Sequence, residues 1–131
     1  MPDAIFSRTI TVLPVTDVEA AADWYAAVLG FATIFLKSGE EPANYAVLQR
    51  GGLQVHLILD ENPSYRSWTN AGTAYLYLKS TNIELAYEEI KAKPVQLKQG
   101  LERAPWGLLG FLLTDPDGNE IRVEEETELR S

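Results

Sequence analysis

Thr16-Asp17-Val18-Glu19-Ala20-Ala21-Ala22-Asp23-Trp24-Tyr25 and Thr81-Asn82-Ile83-Glu84-Leu85-Ala86-Tyr87-Glu88-Glu89-Ile90 lie 65 residues apart and read alike. Thr16, Val18, Glu19, Ala21, Ala22 and Tyr25 recur as Thr81, Ile83, Glu84, Ala86, Tyr87 and Ile90, each set after a run of alternating strand-like residues. In both stretches a threonine hydroxyl can accept a backbone N–H, and a glutamate three positions on can reach back to the threonine amide. That is the capping box that opens a helix. After the first box, Val18, Ala21, Ala22, Tyr25, Val28 and Leu29 keep one helix face apolar until Gly30 can end it. The second helix repeats this with Ile83, Ala86, Tyr87 and Ile90 and stops before Pro94. A period this long is outside the 20 to 50 residues of solenoid repeats, so it predicts two similar modules that close on each other.

Flanking the helices, alternation and turn residues predict strands at 9–15, 31–36, 45–49 and 53–59 in the first half. The second half repeats the order at 73–79, weakly at 95–98, then 108–114 and 119–124 around the turn Asp115-Pro116-Asp117-Gly118. The fold class expected is α+β, two βαβββ modules at about 5–62 and 70–127 of a single domain, with 60–72 as linker. Strand side chains alternate between faces. Val55, Leu57 and Leu59, then Ala74, Leu76 and Leu78, then Ile121 and Val123 form apolar rows for the helices to cover. Gln54 and His56, Tyr75 and Tyr77, and Glu120, Arg122 and Glu124 are expected to line one second face, a polar and aromatic cleft if the sheet curls.

The chain has 131 residues, 46% of them hydrophobic and 23% charged, which suits one globular domain. No apolar run approaches the ~20 residues of a membrane span, and the N-terminus lacks the basic and long apolar regions of a secretion signal. Without cysteine there are no disulfides, thiolate metal sites or cysteine nucleophiles. A cytoplasmic location is expected. The net charge of −8 repels nucleic acid and anionic membranes, and it suits either solubility or a cationic ligand. Asp115-Pro116-Asp117-Gly118-Asn119 is a β-turn rather than an EF-hand loop, because its glycine comes fourth and not sixth.

Three stretches, Val15-Thr16-Asp17-Val18-Glu19, Asp23-Trp24-Tyr25 through Val28-Leu29-Gly30-Phe31, and Asp115-Pro116-Asp117-Gly118-Asn119-Glu120-Ile121, give the chain a resemblance to the vicinal oxygen chelate superfamily of glyoxalases, extradiol dioxygenases and bleomycin-resistance proteins. The resemblance implies paired βαβββ modules curled around a ligand, often in a homodimer. It also implies a divalent metal at four positions, which fall here on Ile10, His56, Tyr75 and Arg122. Only His56 is a conventional ligand. Ile10 has no donor, Arg122 is a fixed cation, and Tyr75 would have to lose a proton of pKa about 10. Ala46-Val47-Leu48-Gln49-Arg50-Gly51 and Pro105-Trp106-Gly107 are similar to the bleomycin-resistance-like branch, whose members bind a drug in a dimeric groove without metal or chemistry. The resemblance therefore implies metal-independent binding of a small organic molecule, such as a cationic aromatic antibiotic to be sequestered. No cofactor and no catalytic residue are expected. A metal-dependent glyoxalase-type lyase or isomerase, or a dioxygenase, with atypical ligands is the alternative. A non-catalytic interaction module is a third reading.

Candidate ligand-binding residues are Gln54, His56, Trp68, Tyr75, Tyr77, Trp106 and Arg122. His56, the sole histidine, can hydrogen-bond a neighbouring Tyr or Gln, ligate a metal, or serve as a general base. Trp106 and Trp68 sit in loops, where an indole either plugs a barrel end or stacks on a planar ligand. Arg122 either clamps a ligand carboxylate or pairs with Glu120, Glu124 or a cross-strand acid.

Overall fold

The computed structural model describes residues 5–37, 43–60 and 71–126. Helix α1 (Val18–Leu29) starts one residue later than the capping box predicts. Its N-cap is Asp17, whose carboxylate accepts from the Ala20 amide at 3.0 Å. A carboxylate at the positive end of a helix outcompetes a hydroxyl. Thr16 Oγ1 instead donates to Asp117 Oδ1 of the other half, at 2.7 Å. Helix α2 (Ile83–Lys91) shifts in the same way, capped by Asn82 through the Leu85 amide at 3.1 Å. Gly30 ends α1 as expected, at φ 74, a left-handed conformation that costs glycine nothing.

The strands are β1 (Thr11–Val15), β2 (Ala32–Lys37), β3 (Tyr45–Arg50), β4 (Leu53–Leu59), β5 (Tyr75–Ser80), β6 (Leu97–Arg103), β7 (Leu109–Thr114) and β8 (Glu120–Glu125). They form two four-stranded mixed sheets, ordered β1-β4-β3-β2 and β5-β8-β7-β6. In each the first and last strands of a module run parallel and the other neighbours antiparallel. Strand β6 is longer than the short 95–98 run expected and begins later. It is an edge strand with β7 as its partner and two register shifts, so packing rather than alternation defines it.

The apolar rows face the helices as parity requires. Leu13, Val15, Ala46, Leu48, Val55 and Leu57 of the first sheet lie in one continuous core with Leu76, Phe111, Leu113, Ile121 and Val123 of the second. Tyr25, Phe31 and Phe111 are the bulkiest buried side chains, each worth about 1.5–3 kcal/mol of burial. No helix among the described residues is long and apolar enough to cross a membrane.

The Asp115–Asn119 turn is the rivet between the halves. Asp115 accepts from the buried Tyr25 hydroxyl at 2.8 Å, and Asn119 Nδ2 donates both to Asp115 and to the Pro14 carbonyl at 2.9 Å. Burial, then the Asp115 charge, pushes the Tyr25 phenol far up, so it stays a donor. Arg50 stands 65 residues before Asp115 and makes the reciprocal connection, from the first sheet to Glu89 of α2 at 3.0 Å and to the Leu29 carbonyl at 2.8 Å.

Candidate functional site

The face of the second sheet turned away from the helices carries Tyr75, Tyr77 and Lys79 of β5 in register with Glu120, Arg122 and Glu124 of β8. Glu124 is fully buried on this face. Its Oε1 accepts from the Tyr77 hydroxyl and from Lys79 Nζ at 2.8 Å; its Oε2 accepts from Trp106 Nε1 at 2.7 Å and Arg122 Nε at 3.2 Å. Burial alone would raise the Glu124 pKa, but hydrogen bonds from Lys79, Tyr77, Trp106 and Arg122 outweigh it and hold the carboxyl at about 2. In return the carboxylate pushes the Tyr77 phenol and the Lys79 ammonium up from their ordinary values.

This arrangement fixes an aromatic surface. The rings of Tyr75, Tyr77 and Trp106 remain exposed at 49%, 48% and 60%, although the polar atoms of Tyr77 and Trp106 are tied down. Tyr75 and Tyr77 meet edge to face, centroids 6.1 Å apart, and the Arg122 guanidinium lies 5.4 Å from the centre of the Trp106 ring. Arg122 is only 7% exposed because Gly110, opposite Glu124 in β7, has no side chain there. A Cβ on Gly110 would sit 2.9 Å from an Arg122 nitrogen and 2.8 Å from the Val123 carbonyl oxygen. Rigid rings backed by a buried ion pair can stack on a planar molecule without first losing rotamer freedom.

The corresponding face of the first sheet holds a hydrogen-bonded chain. The Tyr45 hydroxyl lies 2.6 Å from His56 Nδ1, His56 Nε2 lies 3.5 Å from Gln54 Oε1, and Gln54 Nε2 donates to Gln49 Oε1 at 3.1 Å. Burial, then the charge of Arg8, pushes the His56 pKa down, so the ring is neutral at pH 7. A single tautomer satisfies both neighbours, with Tyr45 donating to Nδ1 and Nε2–H donating to Gln54. This face is not open along its whole length, because Ile58, in register with Pro14 and Tyr45, is buried.

The residues expected on one polar face come from both sheets, and Gln54 and Tyr77 line one cavity between them. Gln54 and His56 lie on the first sheet, whereas Tyr75, Tyr77, Trp106 and Arg122 converge on the second. The linker candidate Trp68 lies outside the described residues. Arg122 resolves toward pairing, with Glu124 as its partner. Glu124, Lys79 and Gly110 were not singled out as site residues. The parity of Glu124 and Lys79 with Tyr77, and a glycine inside an apolar strand, were the available signals. The four positions implied for a metal do not fit one: Ile10 has no donor, His56 Nδ1 is engaged by Tyr45, and Arg122 is committed to Glu124. No group of three or more His, Asp or Glu side chains suited to a metal occurs among the described residues.

A groove of ≈ 330 Å³ opens elsewhere between the halves, with Leu53 of β4 and Leu85 of α2 on its lining. Its cations are already matched, Arg50 by Glu89 and Lys79 by Glu124.

Residues 9–123 match the family model described as Glyoxalase/Bleomycin resistance protein/Dioxygenase superfamily. No curated protein sequence matches the chain. Among solved structures, TioX from Micromonospora sp. ML1 is similar at a TM-score of 0.80 and 22% identity, over 93% of this chain and 100% of that one. TnmS3, an antibiotic binding protein from Streptomyces sp. CB03234, is similar at 0.74 and 23%, over 95% and 100%. A bleomycin resistance determinant encoded on the transposon Tn5 is similar at 0.72 and 23%, over 94% and 100%. At these identities the likeness speaks for the fold.

Proposed function

Since the chain belongs to the glyoxalase/bleomycin resistance protein/dioxygenase superfamily, we propose that it binds a planar aromatic molecule, such as an antibiotic, and sequesters it without a metal or chemical change. The carrying observation is the buried Glu124, which locks Tyr77, Trp106 and Arg122 into a preformed aromatic surface. Structural neighbours described as an antibiotic binding protein and a bleomycin resistance determinant support the same reading. The whole chain acts as one domain of two modules in the cytoplasm, and a second copy closes the groove. Exposed Ile34 and Phe35 on the edge strand β2 support that pairing, since Phe35 shares a face with Val47 and His56. Glu120 and Glu124 are paired with Lys98, Lys79 and Arg122, so stacking rather than an acidic contact holds the ligand on this face.

Calorimetric titration of chelator-treated protein with a panel of glycopeptide and quinone antibiotics tests the reading. It expects at least one to bind, with an affinity unchanged within about twofold after incubation with Zn or Ni salts. Binding that appears only with metal would overturn it. The runner-up is an enzyme in which a substrate displaces Tyr45 from His56 Nδ1, the ring nitrogen that carries no proton. It requires a turnover that His56→Ala abolishes, whereas sequestration survives that change.

A further inference from the structure

The local charge at the seam between the two halves runs opposite to that of the whole chain. A cavity of ≈ 200 Å³ there is lined by Arg8, Thr9 and Thr11 at the start of the chain, Gln54 of β4 and Tyr77 of β5, with apolar Val55 and Leu76 beside them. None of its lining residues is Asp or Glu, although the chain has nineteen such residues. Arg8 enters no salt bridge among the described residues. The Gln54 amide serves Gln49 with one N–H and has a second to give, and the two threonines each carry a hydroxyl donor. At physiological salt the distant negative charges are screened beyond about 8 Å, so the guanidinium at the pocket wall governs what enters.

We propose that this seam pocket takes the carboxylate of an aromatic carboxylic acid whose ring lies on the Tyr75, Tyr77 and Trp106 surface. The proposal rests on the aromatic-face reading above and gives its planar ligand an anionic end in place of the cationic one that the net charge suggested. Tyr77 belongs to both sites, since its half-exposed ring lines the seam pocket and stands beside Tyr75 on the sheet face. At ≈ 200 Å³ the pocket is smaller than the roughly 300–1,000 Å³ of a complete ligand site, as suits one end of a longer molecule. Arg8 is exposed, and its guanidinium offers a carboxylate two parallel N–H donors. Burial first and the charge of Arg8 second lower the His56 pKa, so a carboxylate beside Arg8 offsets the second of these and raises it.

The test titrates the protein with naphthoate, naphthamide and naphthylmethylammonium, following the Trp106 indole and His56 ring signals by NMR. The expected result is naphthoate binding roughly tenfold or more tighter than naphthamide, about 1.4 kcal/mol, with an upward shift of the His56 pKa. In Arg8→Gln the preference falls to about one, and in Arg8→Lys part of it remains. Equal binding of acid and amide, a preference that survives Arg8→Gln, or tightest binding of the ammonium would overturn the proposal. If all three move Trp106 equally and His56 stays still, the aromatic surface stands and the seam site is refuted. If none of them moves either residue, both readings fail.

Discussion

Glu124 is one of three consecutive glutamates, and it is buried while Glu126 is exposed. Composition cannot distinguish them, but strand parity separates Glu124, which shares its face with Tyr77 and Arg122, from Glu125, and Glu126 lies past the end of β8. With its pKa at about 2, below the ordinary 4.5, Glu124 stabilises the fold fully above pH about 4.5 and loses that contribution as pH falls toward 2. Urea unfolding at about pH 5 and about pH 3 should show a drop that is smaller in Glu124→Gln. At neutral pH Glu124→Ala, which leaves the largely buried Arg122 without its anion, should cost about 3–5 kcal/mol. Gly110→Ala should cost about 1–3 kcal/mol by pressing on Arg122 and the Val123 carbonyl, and should disturb the Trp106 signal with it.

At the scale of elements, the internal repeat made both helices and their order legible, since capping residues and an apolar face at matching offsets are local signals. The start of each helix was misplaced by one residue. Thr16 satisfies the capping pattern, but its hydroxyl is claimed by Asp117, 101 residues away, and no local pattern records that competition. Thermal unfolding of Asp17→Ala should show a loss of about 1 kcal/mol, the usual worth of an N-cap. Glu19→Ala, which the capping box would make equally costly, should change stability by less than about 0.5 kcal/mol. Strand β6 was legible only in part because an edge strand with two register shifts has no alternation to read.

For the whole molecule, the sequence gives strand parity but not which strands share a sheet. Gln54 and His56 were therefore grouped with Tyr75 and Tyr77 without sight of the division into two sheets, joined through the core and the Asp115–Asn119 turn, across which Gln54 and Tyr77 line one cavity. Tyr25→Phe removes a buried bond across that joint and should lower stability by about 1–3 kcal/mol. Fluorescence and circular dichroism should still report one coincident unfolding transition, since the core runs through both halves. The central claim is that the exposed indole of Trp106, held by Glu124, is part of a ligand surface. Its most direct test is an equilibrium titration of tryptophan fluorescence with the antibiotic panel, in wild type and Trp106→Phe. Saturable quenching that Trp106→Phe abolishes is expected; no quenching by any member, or quenching unchanged in Trp106→Phe, would rule out a ligand surface at Trp106.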